Sequence, residues 1–112
     1  MPTISVSVYL NTKLFSDHKY TFSLNEGQTP TIRFDELSLI AKLHLKNIEE
    51  DEILDVAYSL TQTKRIDWYE NPEVELIVRG EQRSTSVGDV FEYNDKFWMI
   101  SVLGFTEIYP QR

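Results

Sequence analysis

The side chains of this sequence that could do chemistry are the hydroxyls Ser84, Thr85 and Ser86, the carboxylate Asp89 behind Gly88, and two histidines, His18 and His44. A serine nucleophile needs a base for its proton and a turn that exposes it. No Gly-x-Ser-x-Gly string surrounds these hydroxyls, and Ser and Thr ahead of a tight turn are explained by hydrogen bonds to turn backbone. Asp89 offers a general base, yet a carboxylate that follows glycine at a strand entrance commonly accepts turn amides, and that is the role expected here. Gly88 has neither the companion glycines of a dinucleotide fingerprint nor the lysine of a phosphate loop. The histidines are too few and too far apart in sequence to suggest a metal site, and the chain has no cysteine to supply a thiolate, a disulfide or a zinc ligand. No catalytic residue, metal or cofactor is expected, and the protein is expected not to be an enzyme.

Binding chemistry is easier to read. With 18 acidic against 11 basic residues the formal charge is −7, which opposes non-specific attraction to nucleic-acid phosphates. Glu49, Glu50, Asp51, Glu52 and Asp55, together with Glu73 and Glu75, form an acidic set that could engage a Lys/Arg-rich surface. The same run has a structural reading, because negative charge suits the first turn of a helix. A second arrangement uses Arg79, Arg83 and Lys96 flanking one end of a sheet, with Trp68, Tyr69, Tyr93 and Trp98 as stacking platforms for single-stranded nucleic acid. Phe97 and Trp98 are neighbours on a strand and point to opposite faces, so one of the two belongs to the core.

The elements that must position these groups follow from periodicity. Thr3 to Leu10 alternates, with Ile4, Val6, Val8 and Leu10 on one face and Ser5, Ser7 and Tyr9 on the other, as a half-buried strand does. Asn11 to Lys19 is polar and turn-like. Tyr20 to Leu24 alternates again and stops at Asn25-Glu26-Gly27, which suggests an antiparallel hairpin with the first strand. Leu39 to Lys46 fits a strand through Leu39, Ala41, Leu43 and Leu45. It also fits a helical stripe through Leu37, Ile40, Ala41, His44 and Leu45 behind Asp35; the strand is the preferred reading.

Asn47 with Glu50 three residues on reads as a capping box, opening an amphipathic helix over roughly Ile48 to Gln62. Thr63 to Pro72 is a polar connection, and Val74 to Val78 a strand ended by Gly80. After the Arg83 to Asp89 loop, strands are expected at about Val90 to Tyr93 and Lys96 to Val102. Asn94-Asp95 forms a two-residue turn between them, since both residue types tolerate positive φ. In the tail, Phe105 and Ile108 are expected to dock. The fold expected is a single α+β domain over residues 1–112: a mostly antiparallel sheet of about five or six strands with one main helix packed on one face.

Length and composition agree with that size of core. A chain of 112 residues that is 41% hydrophobic buries enough apolar surface to fold without disulfides or metal. The N-terminus lacks the basic region and apolar core of an export signal, and no stretch approaches the ~20 apolar residues of a membrane span. A bacterial cytoplasmic location, with no membrane partner, is expected.

Several segments carry a resemblance. Leu60-Thr61-Gln62, Asp67-Trp68, Glu70-Asn71-Pro72-Glu73-Val74, Arg83-Ser84-Thr85-Ser86-Val87-Gly88-Asp89-Val90, Gly104-Phe105 and Glu107-Ile108 resemble a group of small uncharacterised proteins encoded by phages, prophages and plasmids. The resemblance spans about residues 55 to 108, and the Arg-Ser-Thr-Ser-Val-Gly-Asp-Val string is its most specific part. It implies origin in a mobile genetic element. Small acidic proteins of such elements include anti-CRISPR and anti-restriction inhibitors, so the expected function is a non-enzymatic accessory protein that binds a host protein or complex with a basic surface. The alternative is a small nucleic-acid-binding module.

Overall fold

The computed structural model describes residues 3–11, 32–64, 66–101 and 104–110. Strand β1 (Thr3–Asn11) runs through the middle of an antiparallel sheet. Its partners are β2 (Leu37–Lys46) on one edge and β4 (Val90–Tyr93) on the other. With β3 (Val74–Leu76), β5 (Lys96–Ser101) and β6 (Gly104–Ile108), the order across the sheet is β3-β2-β1-β4-β5-β6. Among the described residues one α-helix, α1 (Ile53–Leu60), packs on one face. The α+β class, the antiparallel sheet and the single main helix are therefore as the sequence implies. The strand expected at Tyr20–Leu24, and its hairpin with β1, lie outside the described residues.

The β2 segment resolves as a strand, and the helical alternative for it is overturned. Its alternation breaks at one point: Val8 faces Ala41 but Tyr9 faces Leu39, so Ile40 is an extra residue, a β-bulge. Ile40 and Ala41 both join the core under α1, while Leu39 crosses to the opposite face beside Tyr9. The bulged Ile40 carbonyl accepts from Ile77 N–H (2.8 Å) and Val78 N–H (3.4 Å), which ends β3 at Leu76, short of the expected Val78.

Both faces of the sheet are consequently apolar over part of their area. Under α1 lie Val6, Val8, Leu10, Leu43, Leu45, Phe91 and Ile100, closed by Ile53 and Ala57 of the helix and by Trp68. Ile53 and Ala57 stand four apart on one side of α1, and full burial of an isoleucine contributes about 1.5–3 kcal/mol. On the far face Tyr9, Ile32, Leu37, Val90, Met99 and Ile108 form a second cluster with Phe34 and Phe97 at its margin. Tyr9, Phe34 and Phe97 meet with ring centroids 5.9 to 6.0 Å apart.

The helix entrance differs from expectation. Asn47 does not cap it: its φ of 58° is left-handed, a conformation asparagine tolerates better than most residues, and there the chain turns out of β2. A 3-10 turn, Glu50–Glu52, precedes α1, and no side chain caps either segment. The capping box of Asn47 and Glu50 is thus absent. Both residues suit a cap, but a left-handed Asn47 points the chain away before a helix can begin. At the other end Thr61 closes α1, its hydroxyl donating towards the carbonyls of Ala57 (2.9 Å) and Tyr58 (3.1 Å).

The β4–β5 hairpin is as the sequence implies. Asn94 and Asp95 have φ of 51° and 62°, the two positive values of a type I′ turn, and Tyr93 pairs with Lys96 across it. The tail is more regular than docking alone, forming β6 against β5 with Ile108 buried.

Candidate functional site

The Arg83 to Val90 string is a brace. Asp89 is fully buried, and its carboxylate accepts from Arg83 Nη1 (2.5 Å) and Nη2 (2.8 Å), Asn11 N–H (2.9 Å) and Ser86 N–H (2.9 Å). This is the amide-accepting role expected for it, with an arginine fork added. Ser84 Oγ accepts from Thr63 N–H at 2.9 Å. Thr85 Oγ1 lies 2.6 Å from Thr61 Oγ1, both buried, and Gln62 Nε2 donates to the Thr85 carbonyl at 2.9 Å. Gly88 turns the chain at φ 99°, so that its N–H reaches the Ile100 carbonyl at 2.8 Å. Arg83, Ser84, Thr85, Gly88 and Asp89 thereby tie β4 to β1, β5 and the end of α1, and Ser86 closes the turn through its backbone bonds to Asp89.

The basic and aromatic set does not assemble. Trp68 is fully buried, with its indole N–H donating to the Arg83 carbonyl at 2.9 Å. Tyr69 packs edge-on against it, 5.8 Å away. Tyr93 is 8% exposed and stacks on Trp98 at 6.4 Å and 15°. Trp98 Nε1 is buried and has no hydrogen-bond partner among the described residues, and the ring packs on the α1-side core, while its neighbour Phe97 packs on the far cluster. Arg83 is committed to Asp89. Arg79 and Lys96 are exposed, but they do not share an end of the sheet. Arg79 follows β3 and Lys96 opens β5; these strands run the same way and are four positions apart in the sheet, on the order of 19 Å. The three cations expected to flank one end are thus divided.

The acidic set is brought together by strand direction. Because every neighbour is antiparallel, β2, β4 and β6 finish at the end of the sheet where β1, β3 and β5 begin. Glu49 to Glu52 follow β2, Glu73 precedes β3, and Asp95 and Glu107 lie at the same end. Glu49, Glu50, Asp51, Glu52, Asp55, Glu73 and Glu75 are all exposed. Among the described residues no Lys or Arg side chain forms an ion pair with Glu49, Glu50, Asp51, Glu52, Asp55 or Glu73. The charge is felt locally: burial, then the carboxylates of Glu50 and Glu107, push the Tyr93 phenol above its ordinary pKa.

Two features here are invisible in the linear sequence. His44 Nε2 lies 2.9 Å from Glu75 Oε1, and its Nδ1 3.4 Å from Ser5 Oγ. With the carboxylate as acceptor, Nε2 carries the proton, which leaves Nδ1 of the neutral ring to face the Ser5 hydroxyl. The polarity suits proton transfer, but the His44 and Glu75 side chains are 40% and 61% exposed, far from the dry setting such chemistry uses. Ser5 and His44 are direct register partners, so the contact is what the ladder alone produces. Beside this pair a groove of about 520 Å³ opens between α1 and the β2–β3 edge, lined by His44, Leu45, Lys46, Ile48, Val56, Leu60, Pro72 and Glu73.

Among the described residues no group of three or more His, Cys, Asp or Glu converges as a metal site would require, and no helix is long and apolar enough to cross a membrane. Comparison of the chain with protein-family models, with curated proteins and with solved structures returns no match.

Proposed function

We propose that this chain is a non-enzymatic accessory protein of a phage or plasmid that binds a host macromolecule through its acidic end, as an inhibitor of a host defence complex of the anti-CRISPR or anti-restriction kind. The observation that carries the reading is the gathering of exposed carboxylates, Glu49 to Glu52, Asp55 and Glu73, at one end of the sheet with no cation among the described residues paired to them. Such a field accelerates encounter with a Lys/Arg-rich surface of the kind that defence nucleases present to nucleic acid, and holds wrong partners off by like charge. Glu50 to Glu52 and Asp55 also occupy the 3-10 turn and the first turn of α1, where the helix dipole favours negative charge, but no side chain of the run is tied up as a cap, so the carboxylates stay open to a partner.

The test is capture from bacterial host lysate by the immobilised chain and by a variant carrying Glu49→Gln, Asp51→Asn, Glu52→Gln and Asp55→Asn. A host protein should be retained by the parent chain, and retained less by the neutralised variant, with the difference shrinking as salt rises. Equal capture by both folded proteins at low salt rejects the acidic end as the binding surface.

A further inference from the structure

We propose that the groove between α1 and the β2–β3 edge receives a basic amphipathic segment of the partner protein, with two or three apolar side chains in the groove and Lys or Arg beside them. The inference rests on the acidic-end reading and adds where the apolar anchors go. Charge alone gives encounter rate, whereas desolvated apolar anchors supply most of the affinity at protein interfaces. The groove is the candidate place for them. Its volume of about 520 Å³ falls within the ~300–1,000 Å³ of ordinary ligand clefts, room for more than one side chain. Leu45, Ile48, Val56, Leu60 and Pro72 give it an apolar lining.

Charge complementarity selects the occupant. Glu73 lines the groove itself. Glu49 adjoins Ile48 in the chain, and Glu52 stands one turn ahead of Val56, which is one turn ahead of Leu60. The groove therefore opens where the carboxylates gather. Of the two basic residues in the lining, His44 is engaged by Glu75, which leaves Lys46 against Glu49, Glu52 and Glu73. An acidic or purely apolar segment would meet repulsion or leave this rim unmatched. A segment with apolar residues at helical spacing and cations between them satisfies both.

Two labelled peptides of identical Leu/Lys composition test this, one with leucines at i, i+3, i+4 and i+7, the other scrambled. Binding to the parent chain, to the Pro72→Lys variant and to the charge-neutralised variant is followed by fluorescence anisotropy at physiological salt. Amide shifts on the labelled protein locate the contact. The patterned peptide should bind at least about tenfold tighter than the scrambled one, shift Leu45, Ile48, Val56 and Leu60, and weaken with both variants. Pro72 is exposed, so its replacement tests the rim without opening the core.

Equal binding of the two peptides, lost on neutralisation, would overturn the groove while leaving the acidic end in place. Patterned binding that neutralisation does not weaken would overturn the basic occupant and count against the acidic end as well. If neither peptide binds, the groove proposal fails, and lysate capture decides the acidic end separately.

Discussion

Two charged stretches of this chain, Arg83 to Asp89 and Glu49 to Asp55, are put to opposite uses. In the first, each charge has a partner: the buried Asp89 carboxylate holds the Arg83 fork and two backbone amides. In the second, the charges face solvent with no cation paired to them among the described residues. They also lie at opposite ends of the sheet, since Asp89 enters β4 where β1 ends, and Glu49 leaves β2 where β1 begins. A residue string that is specific in sequence thus marks the frame, and a run that looks like ordinary helix chemistry marks the open surface. Specificity of pattern and availability for binding are separate properties.

The sharpest way to break this contrast is to remove the brace. Asp89→Ala removes the acceptor shared by the Arg83 fork and the Asn11 and Ser86 amides, and should cost about 2–4 kcal/mol, less than breaking a fully buried pair because the Arg83 side chain is 33% exposed. Urea unfolding measures it. A loss under about 1 kcal/mol would mean the brace does not hold the fold.

Next comes the buried hydroxyl pair between α1 and the loop. Thr61→Val should cost about 1–3 kcal/mol by leaving the Thr85 hydroxyl without its acceptor, Thr85→Val should cost less because Thr61 keeps the Ala57 and Tyr58 carbonyls, and the double variant should cost clearly less than their sum. Strict additivity in that cycle would show that the 2.6 Å contact is not an interaction.

The hairpin gives a smaller effect with two signs. Asn94→Pro cannot adopt the φ of 51° and should lose more than about 1 kcal/mol, whereas Asp95→Gly should be neutral or mildly stabilising. Equal melting temperatures for the two variants would reject the turn.

How much of this was legible in the sequence depends on what decides each feature. The alternation of β1 and the Asn94-Asp95 turn are local signals, and both are realised. The bulge at Ile40 carries no Gly or Pro to announce it, and it moved Leu39 to the other face. Asn47 misled because the same short amide serves as a cap or as a left-handed hinge, and only the direction of the chain leaving β2 chooses. The Arg83–Asp89 fork, the His44–Glu75 pair and the groove join residues from different elements. The acidic end required knowing that every strand pair is antiparallel, a tertiary fact.

A finer probe sits at the edge of the acidic end. The Tyr93 phenol is raised by burial and then by Glu50 and Glu107, so its folded value exceeds its unfolded one. Its contribution to stability is present below the ordinary tyrosine value near 10.0 and is lost as pH rises through the folded value. Alkaline titration followed by phenolate absorbance should show Tyr93 ionising above the ordinary tyrosine value. Glu50→Gln should move it down. An unmoved titration would place Glu50 outside the electrostatic reach of that ring.

The measurement that bears most directly on the division between frame and surface is the association rate of the captured host partner. It is compared for the parent chain, the Thr61→Val/Thr85→Val double variant, and the Glu49→Gln/Asp51→Asn/Glu52→Gln/Asp55→Asn variant, each folded, at low and high salt. Association should be unchanged in the loop variant, should slow at low salt in the neutralised variant, and should converge at high salt. A slowed loop variant beside a neutralised variant that associates like the parent would contradict it, and would make the Arg83 to Asp89 end the binding surface.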